Sequence, residues 1–217
     1  MRVLIAVAVI SLFCLSAAEV DAQVTVGAAL GQSHQGAGAS DLPYLGPGFG
    51  GTSLAGVGMI DVAIGSRASV GGEISLAGDI SGAQNERVPG GGNTLVSAHH
   101  DTVFSGVLKV GTPLNQRVRA AAVIGGGIAQ RHTERNGTFG PFSPPFTSSP
   151  VHETLSDTVF ALTGGVDVAV GLTDHVALLA VGRLYHLKDN DRQASGVVHR
   201  GVSSTILRYG GGLQVRF

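Results

Sequence analysis

The chain has 217 residues, 43% hydrophobic and only 13% charged, with a formal net charge of −1. So balanced a charge leaves no electrostatic footprint for a nucleic-acid partner. The single cysteine, Cys14, excludes a disulfide framework and a thiolate metal site. Glycine reaches 34 residues without a Gly-X-Y period, and the hydrophobic residues fall in strand-length runs, which argues against a disordered chain.

The first element in chain order is a leader. Arg2 supplies a positive start, Val3 to Ala18 an apolar stretch, and Val20-Asp21-Ala22 compact residues where a signal peptidase reads. Residues 1–22 are therefore expected to be a signal peptide cleaved before Gln23, leaving 23–217 as one domain. As a membrane anchor the apolar run is short of the roughly 20 residues a spanning helix needs. Phe13 precedes Cys14 where a lipoprotein signal wants a small residue, so no lipid anchor is expected.

Beyond the leader the period is near two, and no segment carries a helical pattern. Strands are predicted at 24–32, 54–65, 69–80, 95–110, 117–131, 159–172, 176–187 and 204–217. Parity is the internal test. In the second strand Leu54, Ile60, Val62 and Ile64 share one face and Asp61 takes the other; in the third, Val70, Ile74, Leu76 and Ile80 oppose Glu73, Ser75 and Asp79. Phe104, Leu108 and Val110 oppose Ser105 and Lys109, and Val118, Ile124 and Ile128 oppose Arg119 and Arg131. Phe160, Leu162, Val166, Val170 and Leu172 oppose Thr163 and Asp167, while the seventh strand sets Leu178 and Leu184 against Arg183 with Leu179 and Val181 beside it. In a barrel crossing a bilayer the apolar face meets lipid. In a soluble sandwich or lipocalin-like barrel the same pattern inverts, and periodicity alone leaves both open.

The connections alternate in length. Ser66-Arg67-Ala68, Gly111 to Gln116 and Thr173-Asp174-His175 are short, whereas 33–53, 81–94, 132–158 and 188–203 are expected to be long loops. Short turns on one side and long loops on the other are the rhythm of an outer-membrane barrel. The final strand alternates Tyr209, Leu213, Val215 and Phe217 against Arg208, Gln214 and Arg216.

On these features the chain from 23 to 217 resembles the small eight-stranded outer-membrane barrels of the outer-membrane protein A and X type. The resemblance implies a closed eight-stranded antiparallel up-and-down transmembrane β-barrel after a signal peptide, in the bacterial outer membrane. It implies contact with lipopolysaccharide, handling by the barrel assembly machinery, and an assembly signal at Tyr209, Gly212, Leu213, Val215 and Phe217. The chain departs from many members in lacking tryptophan.

Four groups of residues could carry function. Asp61, Glu73, Lys109, Arg119, Asp167, Arg183, Arg208 and Arg216 fall on the polar face. An eight-stranded barrel is barely wide enough for side chains, so they should pair into a polar core rather than line a narrow pore. Seven of the eight histidines (His34, His99, His100, His132, His152, His186 and His199) lie toward the long-loop end without a diagnostic ligand spacing, so no metal or cofactor is expected. Ser97, His99, His100 and Asp101 hold the residue types of a hydrolase, but strand alternation splits their faces, so no catalytic site is expected. Finally, Phe139, Phe142 and Phe146 stand among prolines in the third long loop, as a surface for an external protein or for lipopolysaccharide. The Gly125–Gly127 and Gly210–Gly212 runs have no helix after them and read as crowded strand positions rather than phosphate loops.

Overall fold

The structure, a computed structural model, describes residues 23–36, 51–88, 91–113, 117–141, 147–188, 192–194, 197–199 and 204–217. Residues 1–22, the expected signal peptide, lie outside these, as do Phe142 and Phe146. The described chain is all β: β1 (Val24–Gln35), β2 (Gly51–Ala63), β3 (Ala68–Ala77), β4 (Ile80–Val88), β5 (Gly91–Pro113), β6 (Val118–Pro141), β7 (Ser149–Gly171), β8 (Val176–Lys188), β9 (Arg192–Ala194), β10 (Val197–His199) and β11 (Ser204–Arg216).

Neighbours run β3-β2-β1-β11-β8-β7-β6-β5-β4, and β3 also pairs with β5, which closes the sheet. Every pairing is antiparallel. β3 and β4 occupy one barrel position in succession, so the closed barrel has eight strands. Closure removes the edges that would leave backbone groups unpaired in lipid. β9 and β10 form a separate small hairpin between β8 and β11.

Parity sorts the two faces. Leu30 and Leu54 are 79% and 80% exposed, and Ile74, Leu108, Ile124, Val166, Leu184 and Leu213 also point outward. Asp61, Glu73, Lys109, Asp167, Arg183 and Arg208 are all buried inside. This is the reverse of a soluble domain, and it settles the alternative left open by periodicity. The outward run on β7, Phe160 to Val170, matches the roughly 9–11 residues a tilted strand needs to cross a bilayer.

Two sequence expectations are corrected. The stretches 81–94 and 132–158 are mostly strand, because β4 and β5 meet across 89–90 and β6 and β7 run on to Pro141 and from Ser149. Above the apolar band both strand faces are polar, so Arg131-His132-Thr133-Glu134 carries no period-two signal. The result is a tall blade of β4 and the outer parts of β5, β6 and β7, rising about 35 Å along β6 beyond Gln130 at roughly 3.3 Å per residue.

The second correction concerns Asp79 and Ile80. Register against β5 passes from Leu76↔Thr102 to Ile80↔His99, which places one extra residue between β3 and β4. That is a β-bulge, and one inserted residue reverses every later face. Ile80 therefore points inward, buried, and Asp79 turns out to solvent.

The glycine runs mark close strand approach. A Cβ on Gly212 would stand 1.8 Å from the Ala28 carbonyl oxygen, and one on Gly127 1.8 Å from that of Phe104. The middle glycines face outward, where a Cβ on Gly211 or Gly126 would meet nothing nearer than 3.8 or 3.6 Å.

Candidate functional site

The chemistry of the interior is concentrated in one ladder of charges supplied by six strands. Asp61 arrives from β2, Glu73 from β3, Asp101 and Lys109 from β5, Asp167 from β7, Arg183 from β8 and Arg208 from β11. Each occupies an inward position because its strand's apolar partners face the other way. Toward the short-turn end, Lys109 Nζ donates to Asp61 Oδ2 at 2.8 Å and lies 2.9 Å from Asp167 Oδ2. Asp167 then bridges upward, since its Oδ1 accepts from Arg183 Nη1 at 2.5 Å. Arg183 Nε donates to Glu73 Oε2 at 2.8 Å, and the Tyr185 hydroxyl donates to Glu73 Oε1 at 2.7 Å.

One step higher, the Arg208 guanidinium lies 5.2 Å from the Tyr185 ring centroid. It donates to Ser33 Oγ at 3.2 Å and Ser75 Oγ at 2.7 Å and is ion-paired with Asp101. Apolar side chains pack between these polar groups. Ala29, Val57, Met59, Leu179 and Val181 form one cluster; Val103, Ala129, Val159, Ala161, Leu187 and Ile206 surround Tyr185 in another. Such groups are tolerable in a low-dielectric interior because each charge stands beside an opposite one, although among the described residues Asp61 Oδ1 and Arg183 Nη2 are buried without a hydrogen-bond partner.

Arg119 and Arg216 are corrected: they do not join the ladder. Arg119 is exposed and Arg216 half-buried. Among the described residues neither makes an ion pair, and both line a cavity of about 740 Å³ at the short-turn mouth, whose floor reaches Asp61, Lys109 and Asp167. Asp101, grouped by residue type with Ser97, His99 and His100 in the sequence, belongs to the ladder through Arg208, on the inward face that its even spacing from Ser105 and Lys109 gives it. Arg131, donating to Ser204 Oγ, adds a further buried cation above it.

The histidines divide by face. His99 is buried and 3.0 Å from Thr133 Oγ1. His100 faces outward with Nδ1 2.8 Å from Asp79 Oδ1, its ring centroid 5.0 Å from that of His132. His132 Nδ1 lies 2.9 Å from Ser156 Oγ, and its Nε2 lies 3.4 Å from Glu134 Oε1. His34 and His186 each bond a threonine on the adjacent strand, Thr52 and Thr205, both at 3.3 Å. His152 bonds Asn136, and His175 sits at the short-turn end with Nδ1 3.2 Å from the Arg216 carbonyl. Among the described residues no three His, Cys, Asp or Glu side chains converge on a point where a metal would sit. Phe139 is a strand residue of β6, paired with Asn93 and Ser149, and not part of a loop.

No family model and no curated protein matches the sequence. Solved structures do match in fold. The outer membrane protease OmpT from Escherichia coli aligns with 10% identity and a TM-score of 0.54, over 90% of this chain and 97% of that one. A major outer membrane protein from Thermus thermophilus aligns with 15% identity and a TM-score of 0.50, over 91% and 100%. The outer membrane protein OprG from Pseudomonas aeruginosa aligns with 9% identity and a TM-score of 0.50, over 90% and 95%. The fold is that of the outer-membrane β-barrels. At these identities the likeness speaks for the fold, and activity must be argued from the residues.

Proposed function

We propose that this chain is a bacterial outer-membrane barrel with a structural and surface-interaction role, its long-loop end outside the cell and its short turns in the periplasm. The observation that carries the reading is the outward apolar band topped by a blade of β4 to β7. The blade offers backbone and polar side chains well beyond the bilayer, where lipopolysaccharide or an external protein would meet it. Phe139, with Phe142 and Phe146 following in sequence, would supply the aromatic tip of that surface. The ladder acts as a plug: ion pairs and packed aliphatics fill the middle of the barrel, which argues against an open pore.

Biogenesis fits the same reading. β11 pairs with both β1 and β8 and so completes the barrel. Tyr209, Leu213, Val215 and Phe217 alternate outward along it, with Gly212 at the tight inner approach, as a signal for the assembly machinery. Membrane fractionation with a heat-modifiable gel shift tests the reading. A folded, heat-modifiable band in the outer-membrane fraction is expected, and a soluble periplasmic monomer would refute it. Planar-bilayer recording should give no steady unit conductance.

A hydrolytic reading has one observation in its favour, the outward Ser156–His132–Glu134 chain above the Phe104–Ile128–Phe160 row. It ranks second because the serine bonds Nδ1 and the carboxylate stands 3.4 Å from Nε2, the reverse of the usual orienting arrangement. Mass analysis of outer-leaflet lipid from cells with wild type and Ser156→Ala should give identical spectra; loss of an acyl chain only with wild type would promote it.

A further inference from the structure

The two arginines left out of the ladder share an unusual setting. Arg119 stands on β6 opposite Ala169, and Arg216 on β11 opposite Thr25; both positions face inward. Both line the 740 Å³ mouth cavity and an adjoining one of about 300 Å³, together with Gln214 and Ala169. Lining the same two cavities, the two like charges act on one another. The nearby acids do not relieve them. Asp61 and Asp167 are held by Lys109, with Asp167 also held by Arg183, and Asp174 lines the smaller cavity without an ion pair to either arginine. Arg67, Arg117 and His175 add further basic groups around the same mouth.

Facing like charges in a cavity raise the free energy of the empty state, and a guanidinium presents a planar fork that matches a carboxylate or phosphate. Gln214 adds an amide on the same wall. In the ladder each cation stands beside an acid; here two stand beside each other and a space. We infer that the short-turn mouth is a binding site for a small oxyanion, a phosphate or carboxylate group, gripped between Arg119 and Arg216. The site is built from the barrel end opposite to the blade, so it stands or falls independently of any extracellular partner.

The test uses the full refolded barrel in maltoside micelles, titrated calorimetrically with inorganic phosphate and with succinate. Saturable heat from at least one is expected, with heat from one alone naming the preferred oxyanion chemistry. Arg119→Gln and Arg216→Gln should each weaken binding at least about tenfold, or roughly 1.4 kcal/mol, while Lys188→Gln at the far end leaves it unchanged. Without added anion, both variants should melt no lower than wild type, because a repulsion has been removed. Phosphate should then raise the wild-type melting temperature and leave the variants in place. Repeating the titration in phosphatidylglycerol vesicles separates sources: suppressed heat assigns the site to a lipid headgroup, and unchanged heat to a soluble anion. No saturable heat from either probe, equal heat from the variants, or variants that melt lower than wild type without anion would each overturn the proposal.

Discussion

The bilayer-crossing half of the barrel and the blade above it are built from the same strands under opposite rules. In the lower half the outward positions accept only apolar side chains and the charges are confined to the interior, so Phe160, Leu162 and Val166 alternate with Ala161, Thr163 and Asp167. In the blade, water stands on both faces, and β6 continues as Glu134-Arg135-Asn136-Gly137-Thr138 with no required order. Backbone pairing continues unbroken from one to the other. A strand can therefore lose all its side-chain specification and remain a strand, held by ladder hydrogen bonds to neighbours that the membrane half has already placed in register.

The sharpest break of this contrast is at the ladder. Arg183→Ala leaves Glu73 and Asp167 buried with a partner removed, and should destabilise the barrel by about 3–5 kcal/mol in urea unfolding. Glu134→Gln in the blade should stay within roughly 0.5 kcal/mol. Equal effects would mean that the interior charges are solvated, as in a water-filled channel.

Lipid exposure gives the next largest effect. Ile124→Arg places a charge on the outward face of the apolar band and should destabilise by about 2–4 kcal/mol if that position lies near the bilayer midplane. Thr154→Arg, exposed on the blade, should leave unfolding in vesicles unchanged.

The same two rules explain what could be read in advance. Strand number, closure and facing were legible because lipid enforces alternation, and Asp61, Glu73, Lys109, Asp167, Arg183 and Arg208 were placed by parity alone. The upper reaches of β5 to β7 were not legible, since Arg131 to Gly140 has no apolar stripe to betray a strand. Arg119 and Arg216 share the parity of the ladder, but parity gives a face and not a depth. Their lack of an ion pair among the described residues emerges only once eight strands set their stagger. The bulge at Gly78 and Asp79 was invisible for a related reason: one extra residue writes no local signature, yet it reverses Ile80 and Asp79.

Within the lower half, glycine pairs sharpen the picture of close approach. Gly212→Ala drives a Cβ onto the Ala28 carbonyl oxygen and should cost about 1–3 kcal/mol by forcing β1 and β11 apart. Gly211→Ala points outward with its nearest atom 3.8 Å away, and should fold with wild-type yield and the same heat-modifiable shift. If both alanines were tolerated equally, the seam between first and last strand would be looser than its geometry implies.

The smallest effect lies on the boundary between the two regions. The bulge turns Asp79 outward to His100, whose side chains are 60% and 43% exposed, and water screens a pair so exposed. A double-mutant cycle with Asp79→Asn and His100→Gln should yield a coupling of no more than about 0.5 kcal/mol, vanishing at high salt. Deleting Gly78 is the informative companion. It removes the extra residue, so Leu76↔Thr102 leads by plain alternation to Ile80↔His99, with Ile80 still inward and Asp79 still outward. That deletion should therefore leave the barrel folded and the Asp79–His100 coupling unchanged, because β4 keeps its pairing with β5; loss of folding would show that the joint between β3 and β4 needs the extra residue.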